Sequence, residues 1–143
     1  MEKLSFAVTL GGTGVCNALI YINGELYDDV YISEEETIEF ECGCGAENEL
    51  KIEFAEKKQS DVVLDKDGNI LSDQLLHIKK IEIDEIDITN LCRMQAEYTP
   101  TDPWYIENHP DSPVLRNHMD LGWNGNWTLQ FETPFYIWLL ENL

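Results

Sequence analysis

An alternation of isoleucine with acidic residues decides the fold class of this chain. It is clearest in the stretch Ile81-Glu82-Ile83-Asp84-Glu85-Ile86-Asp87-Ile88. Successive side chains of a β-strand point to opposite faces, so this pattern predicts strands with one buried face and one solvated face. The same alternation recurs in short segments throughout residues 4–89. The sequence therefore predicts an all-β protein.

Turn signals divide this alternation into separate strands. Asn23-Gly24 is a strong hairpin signal, and the glycine-rich segment 11–14 predicts a loop that ends the first strand. The apolar positions change parity near Lys79-Lys80, which predicts a β-bulge. The clearest alternating segments are Phe6, Val8 and Leu10; Ile38 and Phe40; Leu50, Ile52 and Phe54; and Trp127, Leu129 and Phe131. Such a series of short strands predicts a jelly-roll-like antiparallel β-sandwich.

Composition changes after Asn90. The segment 91–119 shows little periodicity and contains Pro100, Pro103, Pro110 and Pro113. The chain closes on an apolar run over residues 135–140, whose length fits either a short helix or a strand. We therefore predict a β-sandwich domain over residues 1–90 and a C-terminal extension over residues 91–143. The extension is expected to pack either on the sandwich or on a neighbouring subunit.

The negative charge of the chain argues against nucleic acids and anionic membranes as partners. The chain has 28 acidic and 9 basic residues, with a formal net charge of -19. This charge repels phosphate backbones and anionic lipid surfaces, so nucleic-acid binding is not expected. No apolar run approaches the roughly 20 residues that a spanning helix needs, so membrane insertion is not expected either.

The N-terminus carries no leader pattern. Met1-Glu2-Lys3 runs directly into the first predicted strand, which predicts synthesis in a host cytoplasm without a signal peptide. Cysteines made there are expected to be free thiols, and the chain has four of them, Cys16, Cys42, Cys44 and Cys92.

Catalytic motifs are not evident in the sequence. Nucleophilic or acid–base catalysis needs a reactive side chain held beside a base, and His77, His109 and His118 are scattered along the chain. His77 falls in a predicted strand, where packing is the favoured role. The sequence therefore predicts a protein that is not an enzyme.

One turn has the oxygen spacing of half a calcium loop. Asp65 and Asp67 alternate before Gly68, and Asp73 follows a few residues later. Calcium takes about six to eight oxygen ligands, often from Asp side chains and turn carbonyls. We predict a weak calcium site at Asp65, Asp67 and Asp73. The alternative is an ordinary Asp-Gly turn between strands.

Large aromatic residues supply candidates for ligand binding. Trp104 and Tyr105 follow Pro103 in the proline-rich segment, where a loop can display their rings. Trp127 alternates with Leu129 and is expected in the core, and Trp123 lies close to it. We take Trp104, Tyr105 and Trp123 as the candidate ligand-binding residues. The ligand is either a sugar ring stacked on an aromatic face or another protein.

Four segments of residues 4–89 together carry a resemblance to a known family. They are the opening strand with its glycine-rich break, Ala18-Leu19-Ile20-Tyr21-Ile22-Asn23-Gly24-Glu25, Glu47-Asn48-Glu49-Leu50-Lys51-Ile52-Glu53-Phe54, and Asp73-Gln74-Leu75-Leu76-His77-Ile78-Lys79-Lys80-Ile81-Glu82-Ile83-Asp84. In this order they resemble the calcium-dependent, xylan-binding type of carbohydrate-binding module, a jelly-roll sandwich. The resemblance implies calcium-assisted binding of a glycan. At two places this chain differs from the family's pattern: Glu56-Lys57 stands in place of an Asn-Asp pair, and Gln74 in place of an Arg.

The C-terminal end has a resemblance of its own. Its segments 119–127 and 136–143 are similar to the endings of small uncharacterised proteins of tailed marine bacteriophages. This implies a non-enzymatic structural or attachment component of a virion, in the tail, baseplate or capsid decoration. Its expected partners are other virion proteins in an oligomer and a cell-surface glycan. The alternatives are a free-standing calcium-assisted carbohydrate-binding module and, third, an enzyme of unrecognised chemistry.

Overall fold

The computed structural model describes residues 2–58, 63–64, 66–68, 70–111 and 113–143. In chain order the strands and helices are β1 (Glu2–Thr13), β2 (Cys16–Ile22), β3 (Glu25–Ile32), β4 (Glu36–Cys44), β5 (Glu47–Ala55), β6 (Val63–Leu64), β7 (Ile70–Ser72), β8 (Leu75–Ile83), β9 (Ile86–Asp87), α1 (Thr89–Gln95), β10 (Glu97–Pro100), α2 (Pro103–Asn108), β11 (Leu115–Arg116), β12 (Asp120–Leu121), β13 (Gly125–Glu132) and α3 (Phe135–Asn142).

Most of the strands form two antiparallel sheets. The first sheet has the order β12-β8-β1-β4, with β9 paired to β8, and the second has the order β11-β10-β13-β5-β2-β3. The short strands β6 and β7 pair with each other. The two larger sheets pack face to face, and the rings of Phe6 in β1 and Phe131 in β13 meet across the interface, 6.0 Å apart. The predicted all-β antiparallel sandwich is therefore confirmed.

The core follows from the alternation. The inward residues Phe6, Val8 and Leu10 of β1 are at most 2% exposed. On the second sheet, the even-numbered residues of β5 are likewise buried and the odd-numbered ones are partly or fully exposed. Burying large apolar side chains from both inner faces is the main favourable contribution to folding.

Two local predictions are confirmed. Asn23 and Gly24 have φ angles of 52° and 81° and form the turn between β2 and β3, as expected of an Asn-Gly hairpin. In the pairing of β1 with β8, Thr9 lies opposite Lys80 and Leu10 lies opposite Ile78. Lys79 is thus the extra residue of a β-bulge, which accounts for the change of parity.

The isoleucine–carboxylate stretch is a hairpin rather than one strand. β8 ends at Ile83, and Asp84 and Glu85 take φ angles of 51° and 67° before β9 begins. The carboxylate of Asp84 accepts a hydrogen bond of 2.9 Å from the backbone N–H of Ser5, which anchors the turn to β1. The turn coincides with the two consecutive acidic residues, Asp84 and Glu85, where the isoleucines change from odd to even positions.

The predicted glycine loop was also wrong in part. β1 continues through Gly11 and Gly12 and ends at Thr13, and the sheet pairs Gly12 with Leu76. A Cβ at Gly12 would lie 2.6 Å from the backbone oxygen of Ile32, so the glycine provides room for a close backbone approach within the strand.

The segment 91–143 contributes to both sheets. β12 lies at the edge of the first sheet, and β13 lies between β5 and β10 in the second. The closing run forms helix α3, which buries Phe135, Trp138 and Leu139. No helix in the described ranges has the length and apolar character to cross a membrane. The division into units 1–90 and 91–143 stays a prediction about which part can fold alone.

Candidate functional site

An aromatic cluster lies at one end of the second sheet. Gly125, the first residue of β13, pairs with Phe54 near the end of β5 and with Pro100 at the end of β10. The segments that leave these strands, containing Lys57, Trp104 and Trp123, therefore meet at the same end of the sandwich. Loops at a sheet end are a common place for ligand contacts because the scaffold below holds them in position.

Helix α2 presents the first tryptophan. Asp102 caps the helix, because its side chain accepts a hydrogen bond of 3.1 Å from the N–H of Tyr105. Pro103 occupies the first turn, where its missing N–H costs nothing. The helix ends where the N–H of His109 donates to the carbonyl of Tyr105 at 2.8 Å. This single turn fixes Trp104 at its outer face.

Two tryptophans stack to form the surface of the cluster. The rings of Trp104 and Trp123 are 5.0 Å apart with an interplanar angle of 22°. Trp104 is 43% exposed, whereas Tyr105 is only 5% exposed and stacks on His109 at 4.2 Å. The structure thus brings the three predicted aromatic residues together but buries Tyr105 beneath them. We call the surface formed by Trp104 and Trp123 the indole surface.

The segment that carries Trp123 is held from below by Tyr98. The hydroxyl of Tyr98 accepts a hydrogen bond of 3.0 Å from the N–H of Trp123 and donates to the carbonyl of the same residue. Burial raises the pKa of Tyr98, so the phenol stays protonated and keeps this donor over the usual pH range. Trp123 therefore has a fixed backbone.

A buried lysine lies under the indole surface. The side chain of Lys57 is 4% exposed, and its Nζ lies 2.5 Å from Asp73 Oδ1 and 2.5 Å from the carbonyl oxygen of Gly122. The same Nζ is 5.2 Å from the centre of the Trp123 ring, within the range of a cation–π contact. One ammonium group thus touches the segments before β8 and before β13.

Asn124 joins the backbones of two of these segments. Its side-chain oxygen accepts from the N–H of Lys57 at 2.9 Å, and its side-chain nitrogen donates to the carbonyl of Lys57 at 2.8 Å. Gly125 lies within β13, where a Cβ would come within 2.6 Å of the backbone oxygen of Thr99. Asn124 therefore bridges two segments through its side chain, and Gly125 allows β13 to approach β10 closely.

Of the three predicted calcium ligands, only Asp67 and Asp73 lie in the described part of the chain, so the site stays a prediction. Asp65 lies outside the described residues, and Asp67 is exposed in the turn. Asp73 is paired with Lys57. Among the residues that the structure describes, no three His, Cys, Asp or Glu side chains are grouped to hold a metal ion.

His77 forms hydrogen bonds across three strands. Its Nε2 lies 2.8 Å from Thr13 Oγ1 in β1, and its Nδ1 lies 2.6 Å from Asp120 Oδ1 in β12. The order hydroxyl, imidazole and carboxylate is that of a nucleophilic triad. Thr13, however, is paired in the ladder between β1 and β8, and its hydroxyl is a secondary alcohol on a sheet face. We interpret this line of bonds as a cross-strand polar contact.

Lys57 and Asn124 were missed as site residues for a physical reason. Alternation in β5 assigns even-numbered residues to the core, and Lys57 has the opposite parity. Glu56, with a φ angle of 64°, shifts the phase and turns Lys57 inward. A non-glycine residue in this conformation gives no warning in the sequence. The one available signal was the pair Glu56-Lys57 itself, which departs from the pattern of the similar modules.

Comparison with known proteins places the fold. No protein-family model matches the chain, and no curated protein matches it significantly. Among solved structures, the chain is similar in fold to carbohydrate-binding modules. One is vCBM60 in complex with galactobiose, with a TM-score of 0.56, 13% identity, and coverage of 87% of this chain and 95% of that chain.

A second structure is the selenomethionine form of vCBM60, described with two families of calcium-dependent carbohydrate-binding modules. It has a TM-score of 0.57 and 12% identity, and covers 87% of this chain and 88% of that chain. The resemblance is thus confirmed at the level of the fold. A match over 87% of the chain must extend beyond residues 4–89, so the likeness includes part of the segment 91–143.

Proposed function

We propose that this chain is a carbohydrate-binding module that takes a neutral glycan on the indole surface. The observation that carries the proposal is the stacked pair of Trp104 and Trp123, 5.0 Å apart, with Trp104 43% exposed. A flat aromatic face that stays in contact with water suits the apolar face of a pyranose ring, and the fixed segments beneath it keep the cost of ordering low.

The charge of the chain selects the class of glycan. With a net charge of -19, the protein repels uronic acids and sulfated sugars. The site adds one buried ammonium, Lys57, which Asp73 already neutralises. Neutral oligosaccharides, such as galactose- or xylose-based chains, are therefore the ligands to test first.

Binding to an array of neutral and acidic oligosaccharides tests the proposal, followed by titration calorimetry on the best ligand. Trp104→Ala is expected to weaken binding by about tenfold or more, because an exposed tryptophan at the centre of a contact supplies much of its free energy. Tyr136→Ala is the matched control, since Tyr136 is 51% exposed on α3, outside the cluster. An array without neutral ligands, or equal affinities of the two variants, would contradict the proposal.

A second candidate function is a structural or attachment role in a bacteriophage particle. The resemblance of the C-terminal end supports it, as does the outer face of α3, where Ile137 and Leu140 are 54% and 75% exposed. Exposed apolar groups on one helix often mark a contact with another protein. In this role, the glycan-binding end would face the host while α3 contacts neighbouring subunits.

Sedimentation velocity at increasing concentration tests the second role. The double change Ile137→Asp and Leu140→Asp is expected to abolish self-association, whereas Leu26→Asp on β3, where Leu26 is 48% exposed, should leave it intact. A wild-type protein that stays monomeric and is missing from purified particles by mass spectrometry would rule the role out.

A further inference from the structure

We propose that the Lys57 ammonium is the permanent cation of this site, so that the module folds and takes its glycan without calcium. The inference about binding rests on the proposed function; the inference about folding does not. It gives Lys57 the role of a positioning residue, which holds the segments around the indole surface and does not itself contact the glycan.

The contacts of Lys57 resemble those of a bound ion. Its Nζ lies 2.5 Å from a carboxylate oxygen of Asp73 and 2.5 Å from the carbonyl oxygen of Gly122. A carboxylate and a backbone carbonyl are the oxygen types that hard cations take in proteins. The ammonium is a compact point charge with three donors, and it can bind two such oxygens at once.

The position of the ammonium makes it a link between separate parts of the chain. Lys57 follows β5, Asp73 precedes β8, and Gly122 lies between β12 and β13. β8 belongs to the first sheet and β5 and β13 to the second. The contact therefore joins both sheets at the end that carries Trp123, one residue beyond Gly122.

Burial distinguishes the ion pair of Lys57 and Asp73 from an ordinary surface ion pair. The Lys57 side chain is 4% exposed and that of Asp73 is 24% exposed, whereas the exposed pair of Lys3 and Glu41 has 74% and 59% exposure. An exposed ion pair adds little stability, but removing one partner of a buried pair leaves the other charge uncompensated.

A metal ion does not fit beside this lysine. A divalent cation at Asp73 would lie within a few ångströms of the ammonium and be repelled by it. The described residues offer no group of three His, Cys, Asp or Glu side chains for a metal ion. Asp73 is thus engaged by the Lys57 ammonium, which occupies the place that a metal ion would need beside this carboxylate.

Melting and binding of the wild-type protein, each in EDTA and in millimolar calcium, give the first test. The two melting temperatures are expected to agree within about 1 °C, because an ion that does not bind the native state cannot stabilise it. Glycan affinity should agree within about twofold. A melting temperature that calcium raises by more than about 3 °C, or binding that EDTA abolishes, overturns the proposal.

Lys57→Met gives the second test, with Lys3→Met as the matched control. Lys57→Met should melt about 10 °C lower and, at a temperature where circular dichroism shows it folded, bind glycan at least about tenfold more weakly. Lys3→Met should melt within about 2 °C of the wild type and bind equally. Equal behaviour of the two variants overturns the proposal.

The two tests separate this inference from the proposed function. If no glycan binds, the proposed function fails, while the melts in EDTA and calcium still decide whether Lys57 replaces a metal. If glycan binds only with calcium, the proposed function stands and the inference about Lys57 fails. The wild-type measurements need no variant, so they decide the matter even if Lys57→Met does not fold.

Discussion

The segments 1–90 and 91–143 differ sharply in sequence but little in structural role. The first shows alternation almost throughout, whereas the second shows it clearly only in Trp127, Leu129 and Phe131. Yet β13, which contains these residues, lies between β5 and β10 in the second sheet. A regular sequence pattern predicts where strands lie. The contribution of each strand to the stability of the fold depends instead on the strands with which it pairs.

The pairing of β5 with β13 shows how closely the segments depend on each other. Leu50 lies opposite Leu129, and Ile52 lies opposite Trp127. All four side chains are fully buried in one shared core. Without β13, the edge of β5 and its apolar face would be open to water.

The largest expected effect is that of truncation after Asn90. Removal of β13 exposes Leu50, Ile52 and Phe54 and deletes the fully buried Trp127. The loss should exceed the about 5–15 kcal/mol that typically stabilises a domain, so the fragment is expected to be unfolded. Circular dichroism and thermal melting measure this directly.

A cooperative melt of the fragment would contradict the view that the two segments depend on each other for folding. It would mean that residues 91–143 are an addition to a self-sufficient sandwich, and that the proline-rich segment, Trp104, Tyr105 and α3 could together form a contact surface for other subunits. An unfolded fragment leaves only the exposed side of α3 for that role. Removal of Leu143 alone, which is 84% exposed, is a control that should leave the fold intact.

Single core substitutions in the two segments should have equal effects. Ile52→Ala in β5 and Leu129→Ala in β13 are each expected to cost about 2–5 kcal/mol, because each leaves a cavity in the same core. Lys51→Ala and Gln130→Ala, on the solvated faces of the same strands, should cost under about 0.5 kcal/mol. Urea denaturation gives the four values; a much smaller cost for Leu129→Ala would show that β13 is loosely packed.

Sequence predicted the strands well because their signal is local. Leu50, Ile52 and Phe54 are buried as their alternation indicated, and the bulge at Lys79 followed from a change of parity. The candidate site was predicted only as separate tryptophans. Stacking of Trp104 on Trp123 and the contact of Lys57 with Gly122 join residues far apart in the chain, and no local period encodes such contacts.

The pH dependence of stability allows the packing of α1 to be compared with that of the sandwich strands, because each contains a buried cysteine. Burial raises the pKa of the Cys92 thiol in α1 to about 12, and burial likewise raises that of Cys44 in β4 to about 12. An unfolded thiol titrates near pH 8.5, roughly, so the native state keeps a proton that the unfolded state loses. Stability is therefore constant below about pH 8.5 and falls by about 1.4 kcal/mol per pH unit above it for Cys92.

Denaturant melts between pH 8 and 11, roughly the window set by these pKa values, measure that slope. Cys92→Ala should flatten it, and Cys44→Ala should flatten it in the same direction. If only Cys44→Ala has an effect, the thiol of Cys92 is accessible to water, and α1 packs less tightly on the core than the strands do.

The smallest effect concerns the turn between β8 and β9, within the isoleucine–carboxylate stretch. Glu82 and Glu85 are both acidic residues of this stretch, but Glu82 lies in β8 and Glu85 lies in the turn with a φ angle of 67°. This conformation is sterically strained for a residue with a Cβ, but not for glycine. Glu85→Gly should therefore raise stability by about 0.5 kcal/mol, after allowance for the greater freedom of glycine in the unfolded chain.

The two positions should respond with opposite signs. Glu82→Gly removes a side chain from a strand interior and should cost about 0.5–1 kcal/mol. Glu85→Ala removes the same charge as Glu85→Gly but keeps the Cβ, so it should give no gain; this separates backbone strain from charge. Melting temperatures of the three variants provide the measurement. If Glu85→Gly destabilises the protein as much as Glu82→Gly, the stretch behaves as one continuous strand after all, and the hairpin of β8 and β9 is wrong.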